Sequence, residues 1–248
     1  MSWPAGYGRR VLAEVDSTNA EAARLAGTLA GPEWILALRQ TAARGRRGRP
    51  WVNPKGNFAG TLLMMPRETP DVVALRSFVA SLALYDAFAA ATGRVEGLAL
   101  KWPNDVLLNG GKVAGILLES LGQRRGVAHL AIGIGVNLAE APDAGEVEPG
   151  ALRPVSLLSE SGVLIDPESF LDLLATSYAE HEARFATYGF GPLREAWLAR
   201  AARLGEVITA RSGTAETVGT FETVDERGNL ILTTRGGRQA IAAADVFF

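Results

Sequence analysis

The sequence predicts an α+β fold, with a mixed-sheet domain packed with helices over residues 1–203 and a small β-barrel over residues 204–248. Apolar residues recur at helical spacing in two long stretches, which favours helices that face a core. Short apolar runs typical of strands lie before and between them. From residue 205 onward, β-branched alternation and glycine turns replace the helical period, which is typical of a small all-β module. At 248 residues, the chain is long enough for both domains.

A capping pattern marks the first helix. Ser17 or Thr18 can cap it, and Thr18 with Glu21 fits a capping box, so a helix is predicted from here to about Gly27. The remaining predicted elements are strands at 11–15, 34–40, 58–65, 98–102, 105–109, 112–120 and 127–138, helices at 71–92, about 170–188 and 192–204, and loops at 41–56 and 139–153.

Composition excludes several classes of protein. The sequence has no apolar run of about 18 residues and no basic start followed by an apolar segment, so neither a membrane span nor a secretory signal is expected. There are no cysteines, which excludes disulfides and thiolate metal sites and fits a reducing cytoplasm. Only His129 and His181 are present and they lie far apart, so neither a histidine zinc site nor a Ser-His-Asp triad is expected. We therefore predict a cytoplasmic protein without a metal site of its own and without a membrane partner.

Positive charge is concentrated in one short segment, although the formal net charge of the chain is −2. Residues 41–51 read TAARGRRGRPW, and no acidic residue occurs between Glu33 and Glu68. Gly45 makes the backbone adaptable, and the arginine side chains present donor forks suited to phosphate or carboxylate. The segment could instead be a solvated surface loop or a nucleic-acid site, but the chain is mildly acidic and has no second basic face, which disfavours nucleic acid.

A second stretch combines KWPND at 101–105 with Lys112, which opens the next strand. The proline prevents a helix here, so Asn104 and Asp105 are placed beside a strand end. Gly115 permits close approach to the backbone of that strand. The chain has 22 arginines and only three lysines, Lys55, Lys101 and Lys112, and a lysine retained among so many arginines suggests a specific role. Taken alone, Lys112 could also be an exposed lysine at a strand start.

A third stretch, AIGIGVNL, carries Gly133 and Gly135 in an apolar strand. The third glycine of a dinucleotide fingerprint is missing because position 138 is Leu, and no P-loop pattern exists, so both of these nucleotide sites are excluded. What remains is a glycine-flattened strand that ends at Asn137, whose amide can face a ligand. A fourth stretch, DSTN at 16–19, offers small polar side chains suited to a neutral polar ring such as a ureido group.

In combination, these stretches resemble the biotin protein ligases. The family pattern is a DSTN segment, a glutamine followed by GRGRRGR-W, KWPND followed by K-x-AGIL-x-E, and G-x-G-x-N. The chain has, in the same order, DSTN at 16–19, Gln40 with ARGRRGRPW at 43–51, KWPND at 101–105, KVAGILLE at 112–119 and GIGVN at 133–137. Each motif is weak alone, but five in order are highly specific. The basic motif departs from the pattern at Ala43, where the family usually has glycine, and this leaves the arginines unchanged.

The resemblance implies a class II synthetase-like catalytic domain, an SH3-like C-terminal barrel and a two-step reaction. Biotin is activated with MgATP to biotinyl-5'-AMP and pyrophosphate, and is then transferred to a lysine of a biotin carboxyl carrier domain. The implied biotin-binding residues are Ser17, Thr18, Asn19, Gln40, Arg44, Gly45, Arg46, Lys112 and Gly115. The implied ATP-binding residues are Arg44, Arg46, Trp51, Asn104, Lys112, Gly133, Gly135 and Asn137. The implied catalytic residues are Lys112, Arg46 and Asp105, with Mg²⁺ carried by ATP. The basic segment at 41–51, called the arginine loop below, is expected to close over the acyl-adenylate.

Partners and competing functions follow from the same resemblance. The DSTN motif begins at residue 16, which leaves no room for the N-terminal DNA-binding domain of some family members, so no DNA partner and no repression are expected. A monomer or a homodimer is expected. The main competing function is that of a lipoate or octanoate ligase or transferase of the related fold, which would need an aliphatic slot instead of polar groups. A nucleic-acid-binding regulator and an inactive biotin sensor are two further hypotheses.

Overall fold

The computed structural model describes residues 2–49, 51–52, 54–122, 127–143 and 152–248, without the side chain of Arg46. Within this part, the chain forms a seven-stranded mixed sheet with helices packed on it, and a five-stranded antiparallel sheet near the C-terminus. The predicted α+β fold class is confirmed.

The first sheet has the spatial order β1-β2-β3-β7-β6-β5-β4. Its strands are β1 (Gly8–Leu12), β2 (Glu33–Ala37), β3 (Phe58–Met64), β4 (Leu98–Lys101), β5 (Asp105–Leu108), β6 (Gly111–Leu121) and β7 (His129–Val136). β1 and β2 are parallel, and every other neighbouring pair is antiparallel. The long strands β6 and β7 therefore lie near the middle of the sheet, and their residues can face both a core and a cavity.

Six α-helices are described. They are α1 (Thr18–Leu25), α2 (Pro70–Ala74), α3 (Arg76–Thr92), α4 (Leu157–Ser161), α5 (Pro167–Tyr188) and α6 (Phe190–Leu198). Short 3-10 turns follow α1 at Ala26–Thr28 and lie in the arginine loop at Arg46–Gly48.

The first sheet buries side chains on both faces, because successive strand residues point to opposite sides. On β2, Trp34 and Leu36 belong to the main core with α3 and α5. Between them, Ile35 belongs to a smaller cluster with Ala22 of α1. The helix α1 therefore packs on the face opposite to α3 and α5, and contacts β2, β3 and β7.

The second sheet contains β8 (Val207–Ser212), β9 (Ala215–Val224), β10 (Leu230–Thr234), β11 (Gly237–Ile241) and β12 (Asp245–Phe247). Its spatial order is β11-β10-β9-β8-β12, and all neighbouring pairs are antiparallel. The last strand, β12, is therefore an edge strand held by β8.

The turn between β9 and β10 joins the second sheet to the first part of the chain. The indole Nε1 of Trp102 donates a hydrogen bond to the carbonyl oxygen of Gly228 at 3.0 Å. Gly228 has a φ of +80°, and a Cβ atom there would lie 2.9 Å from Cδ2 of Leu75 and 3.0 Å from Cε2 of Phe78. Both the backbone conformation and this close packing require glycine.

The structure corrects the predicted ends of two elements. The strand predicted at 11–15 is β1, which begins at Gly8 because its parallel pairing with β2 starts there. Val15 forms only an isolated bridge, with Gln40. The helix predicted at 192–204 ends at Leu198, since the backbone after it hydrogen-bonds with Leu100 of β4 instead of continuing the helix.

The capping box predicted for Thr18 and Glu21 is wrong. Ser17 is the N-cap residue and makes no side-chain cap hydrogen bond. The carboxylate of Glu21 accepts from Nε of Arg24 at 2.6 Å, and the hydroxyl of Thr18 turns towards Gln40. Tertiary partners therefore replace the local cap.

The helix predicted at 71–92 is present as α2 and α3. They are separated at Leu75, whose backbone amide donates to the carbonyl oxygen of Val72, three residues earlier. The sequence does not predict α4, which is held by a capping box between Ser156 and Ser159. Part of the predicted loop at 139–153 lies outside the described residues.

Among the described residues, only the helical segment Pro70–Thr92 is long and apolar enough to cross a membrane. About two thirds of its most apolar stretch is buried inside the protein. In this structure the segment forms α2 and α3, and α3 packs against α5 and α6 in the protein core.

The junction at Gly228 yields a stability prediction. Gly228→Ala should lower the free energy of unfolding by about 2–4 kcal/mol, because it adds both a disfavoured left-handed backbone and a clash with Leu75 and Phe78. Gly213→Ala is the matched control, since Gly213 also has a positive φ but no atom within 4 Å of the added Cβ. Urea unfolding should show a loss of only about 1 kcal/mol for the control. Equal losses for the two variants would contradict the packing described here.

Candidate functional site

A cavity of about 460 Å³ opens between the first sheet, the arginine loop and β12. Its volume is within the range typical of small-molecule sites, roughly 300–1,000 Å³. The polar or charged side chains that line it are Ser17, Thr18, Asn19, Gln40, Arg44, Arg47, Arg49, Lys101, Asn104, Asp105, Lys112, Asn137, Arg211 and Asp245. Six of these are cationic and two are carboxylates, so the cavity favours an anionic ligand.

A hydrogen-bonded polar cluster forms one end of the cavity. Oε1 of Gln40 accepts from the backbone amide of Thr18 at 2.8 Å and lies 3.2 Å from its hydroxyl. The hydroxyl of Thr61, on β3, lies 2.8 Å from Oγ1 of Thr18 and 2.6 Å from Oδ1 of Asn19. The amide of Asn19 donates to Oε2 of Glu119, on β6, at 2.6 Å. These contacts fix the orientation of several donors and acceptors before a ligand arrives.

Glycines on the central strands let large side chains lie directly against the sheet. A Cβ atom at Gly133 would collide with the amide of Asn19. One at Gly135 would lie 2.6 Å from Cε2 of Trp51, so the indole rests on the backbone of β7. One at Gly115 would lie 3.3–3.4 Å from both Trp51 and the end of the Lys112 side chain. The three glycines therefore shape the floor of the cavity.

A buried carboxylate lies between two lysines beside this floor. Oδ1 of Asp105 is 2.7 Å from Nζ of Lys112, and Oδ2 is 3.4 Å from Nζ of Lys101. Burial alone would raise the pKa of the Asp105 carboxyl, but the charges of Lys112 and Lys101 outweigh it and lower the pKa. Burial lowers the pKa of Lys101, and the negative charge of Asp105 only partly offsets this. Asp105 is therefore ionised at neutral pH.

Lys112 is the more accessible of the two lysines. Its side chain is 31% exposed, against 10% for Lys101. Nζ of Lys112 also lies 5.6 Å from the centroid of the Trp51 ring, a cation–π arrangement. The ammonium group therefore lies between the Trp51 ring and the Asp105 carboxylate at the cavity surface.

The arginine loop, residues 41–51, folds back on itself. The backbone amide of Gly45 donates to the carbonyl oxygen of Arg49 at 2.7 Å, and the amide of Trp51 donates to Ala43 at 3.0 Å. An ion pair of 3.6 Å joins Nη2 of Arg44 to Oε1 of Glu119. The loop arginines at 44, 47 and 49 are roughly half exposed, so they remain accessible to an anion in the cavity.

Two asparagines border the region between β5, β6 and β7. Asn104 donates from Nδ2 to the carbonyl oxygen of Ile116 at 2.6 Å, which fixes the turn of the KWPND segment to β6. Asn137 donates from Nδ2 to the carbonyl oxygen of Val155 at 3.0 Å. Within the described part of the chain, the buried Oδ1 of Asn137 has no hydrogen-bond partner. A buried acceptor left open in a cavity wall is suited to a ligand donor.

The structure brings the sequence-predicted residues together. Those that line the cavity are Ser17, Thr18, Asn19, Gln40, Arg44, Gly45, Trp51, Asn104, Asp105, Lys112, Gly115, Gly133, Gly135 and Asn137. The side chain of Arg46 lies outside the described part of the structure, so its predicted role stays a prediction.

Sequence reasoning missed several residues of the site. Three of them, Lys101, Arg47 and Arg49, belong to the KWPND and arginine motifs that the sequence analysis identified. Their closeness in sequence to the predicted site residues is the signal that could have found them. No sequence signal marks Thr61, which is a single polar residue in an apolar strand, or Asp245, which reaches the cavity from the second sheet.

Two family models match the chain. The biotin/lipoate A/B protein ligase family matches residues 11–137, and the biotin protein ligase C-terminal domain matches residues 204–248. The first match includes almost every residue that lines the polar end and floor of the cavity. The second includes β12, which forms part of the opposite wall.

Several proteins of similar sequence or structure are named as biotin ligases. A biotin–[acetyl-CoA-carboxylase] ligase from Paracoccus denitrificans is 62% identical, over 96% of this chain and 99% of the relative. A bifunctional ligase/repressor from Bacillus spizizenii is 32% identical, over 94% of this chain and 71% of the relative. A structure of the Aquifex aeolicus biotin protein ligase in complex with biotin and ATP has a TM-score of 0.82 and 26% identity, over 96% of this chain and 97% of that one. The chain thus belongs to the biotin/lipoate A/B protein ligase family and, within it, to the biotin protein ligases.

Proposed function

We propose that the cavity catalyses both half-reactions of protein biotinylation. In the first, a carboxylate oxygen of biotin attacks the α-phosphorus of ATP, and the bond from that phosphorus to the departing pyrophosphate breaks. In the second, the ε-amine of a carrier lysine attacks the acyl carbon of biotinyl-5'-AMP, an amide forms, and AMP leaves with the bonding electrons. The amine loses its proton to solvent or to a nearby base.

The observation that carries this proposal is the juxtaposition of a neutral polar end and a cationic centre in one cavity. Thr18, Asn19 and Gln40, with Ser17 beside them, present fixed donors and acceptors of the kind that a ureido ring requires. Lys112 and Arg44 line the same cavity, and we assign them to the carboxylate and the phosphate. A ligand with a polar ring at one end and an acid at the other matches this order.

Charge explains how the first step is accelerated. Two anions, the carboxylate and the triphosphate, must approach one another, and charge develops on the α-phosphate oxygens during attack. We assign Lys112 to a position between the carboxylate and the α-phosphate, where its fixed ammonium offsets the repulsion. Arg44 and Arg46 are assigned to the same anions. No nucleophile of the enzyme is required, since the attacking group belongs to the substrate.

The nucleotide is assigned to the region of β6 and β7. Gly133 and Gly135 flatten the floor there, Trp51 lies on it, and Asn137 offers an unpaired buried acceptor to a ligand donor such as an exocyclic amine. Asn104 holds the adjacent turn. Among the described residues, no group of three or more His, Asp or Glu side chains could hold a metal ion, so we propose that Mg²⁺ arrives on the phosphates of ATP.

Asp105 is assigned to the second step as a partner of the incoming carrier lysine. Its lowered pKa makes it a weak acceptor of protons at neutral pH, so electrostatic positioning is the role that its environment favours. It holds the Lys112 ammonium at 2.7 Å and would attract an approaching alkylammonium group. Its involvement in proton transfer stays a prediction.

The remaining proposals concern the protein as a whole. We propose that residues 1–203 form the catalytic domain and residues 204–248 the C-terminal domain, which the match of the C-terminal domain model supports. The acceptor is the biotin carboxyl carrier domain of a carboxylase, and the reaction takes place in the cytoplasm without a DNA or membrane partner. The relative from Paracoccus denitrificans, named as a ligase acting on acetyl-CoA carboxylase, supports this acceptor class.

A lipoate or octanoate ligase of the related fold is the second candidate. It would require an apolar slot for an aliphatic chain where this cavity has Thr18, Gln40 and Asn19. An apolar chain placed against these polar groups would exclude water from them and offer no hydrogen bonds in return, which disfavours such substrates.

Lys112 gives the first test of the proposed function. Lys112→Gln should slow biotin-dependent ATP–pyrophosphate exchange by about 100- to 1,000-fold, because it removes a preorganised charge at the reacting phosphate. The matched control is Lys55→Gln, which removes an exposed lysine that does not line the cavity and should leave exchange within twofold of the original rate. Exchange by the Lys112 variant at the control rate would refute the assigned role.

Thr61 tests the polar end. Thr61→Val keeps the side-chain volume but removes the hydroxyl that contacts Thr18 and Asn19, so KM for biotin should rise about tenfold while kcat changes little. Thr176→Val, on α5 and away from the cavity, makes the same change where the hydroxyl bonds only a helix carbonyl. Steady-state kinetics with biotin as the varied substrate separate the two. A fall in kcat that is larger in fold-change than the rise in KM would contradict a role in ring binding.

A further inference from the structure

The second sheet supplies one carboxylate to the part of the cavity that Arg47, Arg49 and Arg211 also line. This is Asp245, the first residue of β12. Its Oδ2 lies 2.6 Å from Nη1 of Arg47 and 3.6 Å from Nη2 of Arg49. The two arginines belong to the arginine loop and are about 200 positions away in sequence, so the contact joins two separate parts of the chain.

From this geometry we propose that Asp245 is a latch, a positioning residue that holds the arginine loop in its folded conformation against the second sheet. The latch is defined as Asp245, Arg47 and Arg49. It acts on the catalytic centre through the loop and does not itself take part in bond making or breaking.

The backbone of the loop supports a need for such a contact. Arg47 has a φ of +57° and a ψ of +25°, in the left-handed region that a residue with a Cβ atom adopts with a penalty. A penalty of this kind persists where tertiary contacts compensate for it. The ion pair from Arg47 to Asp245 is short and comes from the strained residue itself.

The position of Asp245 is fixed by its strand. Asp245 pairs with Arg211 in the ladder between β12 and β8, and the next residue, Val246, is buried. The guanidinium of Arg211 lies 4.6 Å from the centroid of the Phe247 ring. The latch therefore joins a loop to an ordered strand edge, and the loop's other end is joined to β6 by Arg44 and Glu119. The loop spans the cavity between these two attachments.

Two consequences follow for the ligase reaction, and they depend on the function proposed above. With the latch intact, the loop is ordered before substrates bind, so less conformational entropy is lost on closure. Without it, the loop should open more often, and biotinyl-5'-AMP should escape before transfer. A role in stabilising the second sheet alone would produce neither effect.

Limited proteolysis tests the latch without reliance on catalysis. Trypsin cleavage after Arg44 in the ligand-free, full-length protein should be about fivefold faster in Asp245→Asn, the factor expected for the loss of partly exposed ion pairs. Glu222→Gln is the matched control, because it removes a carboxylate that pairs with Arg238 within the same sheet and does not touch the loop. Asp245→Glu should stay within about twofold of wild type. Cleavage of Asp245→Asn no faster than the control would overturn the proposal.

A second variant keeps the test decisive even where Asp245→Asn does not fold. Arg47→Gln/Arg49→Gln leaves the second sheet intact and should show the same acceleration of cleavage after Arg44. An unchanged cleavage rate in the double variant would contradict the latch.

Release of the acyl-adenylate gives the functional readout. Asp245→Asn should release biotinyl-5'-AMP several-fold faster than Glu222→Gln, measured with labelled biotin in the absence of a carrier. Faster loop cleavage with unchanged adenylate release would show that the latch orders the loop but does not retain the intermediate, which would refute the second consequence. If the wild-type protein forms no adenylate, the proposed function fails, while the proteolysis result still decides whether the latch exists.

Discussion

The ion pairs of a single buried carboxylate, Asp105, underlie the arrangement of this site. Lys101, which is buried, and Lys112, which is partly exposed, carry like charges on either side of Asp105, an arrangement that is unfavourable without a counter-charge. Asp105 supplies it, and its lowered pKa means that the pair interactions contribute stability at neutral pH that is lost as the pH falls through the folded-state pKa. Nζ of Lys112 thereby lies 2.7 Å from its counter-charge at the cavity surface, where we assign it to the anionic substrates.

The floor beneath this charge cluster is built by close approach. Asn19 lies against Gly133, and the indole of Trp51 lies against Gly135. A polar and an aromatic side chain therefore both pack directly on the backbone of β7. The polar cluster at one end then orients hydrogen bonds, and the arginine loop with β12 closes the other side. In the function proposed here, recognition of a neutral ring, stabilisation of developing charge and exclusion of water are assigned to separate walls of one cavity.

The sequence predicts most of this site because its chemistry is local. The segments DSTN, KWPND and GIGVN each place polar groups at a strand end or a helix start, and the motifs meet in the folded protein as expected. The sequence predicts a glycine-flattened strand and leaves open which group packs on it. In the structure the chain's own Asn19 and Trp51 lie against Gly133 and Gly135.

Features that depend on tertiary contacts could not be predicted. The hydroxyl of Thr18 contacts Gln40 instead of forming the predicted capping box. The helix α6 ends before the predicted residue because the backbone that follows it hydrogen-bonds with β4. Asp245 reaches the arginine loop only because the second sheet packs beside it, and nothing in the residues around position 245 indicates that partner. Local sequence patterns therefore predict the helices, strands and motifs. Ion pairs between distant parts of the chain, such as that of Asp245 with Arg47, depend on how the two sheets pack.

Selection of biotin and activation of its carboxylate are both assigned to one cavity, so a single assay can probe them together. That assay is ATP–pyrophosphate exchange with Mg²⁺ in the presence of biotin, lipoate, octanoate or no acid. We expect exchange with biotin alone, because the polar end offers hydrogen bonds to a ureido ring, which lipoate and octanoate lack. Exchange that is equal or faster with lipoate or octanoate would contradict the assignment of Thr18, Asn19 and Gln40, and a folded protein without exchange for any acid would contradict the role of Lys112 and the arginine loop.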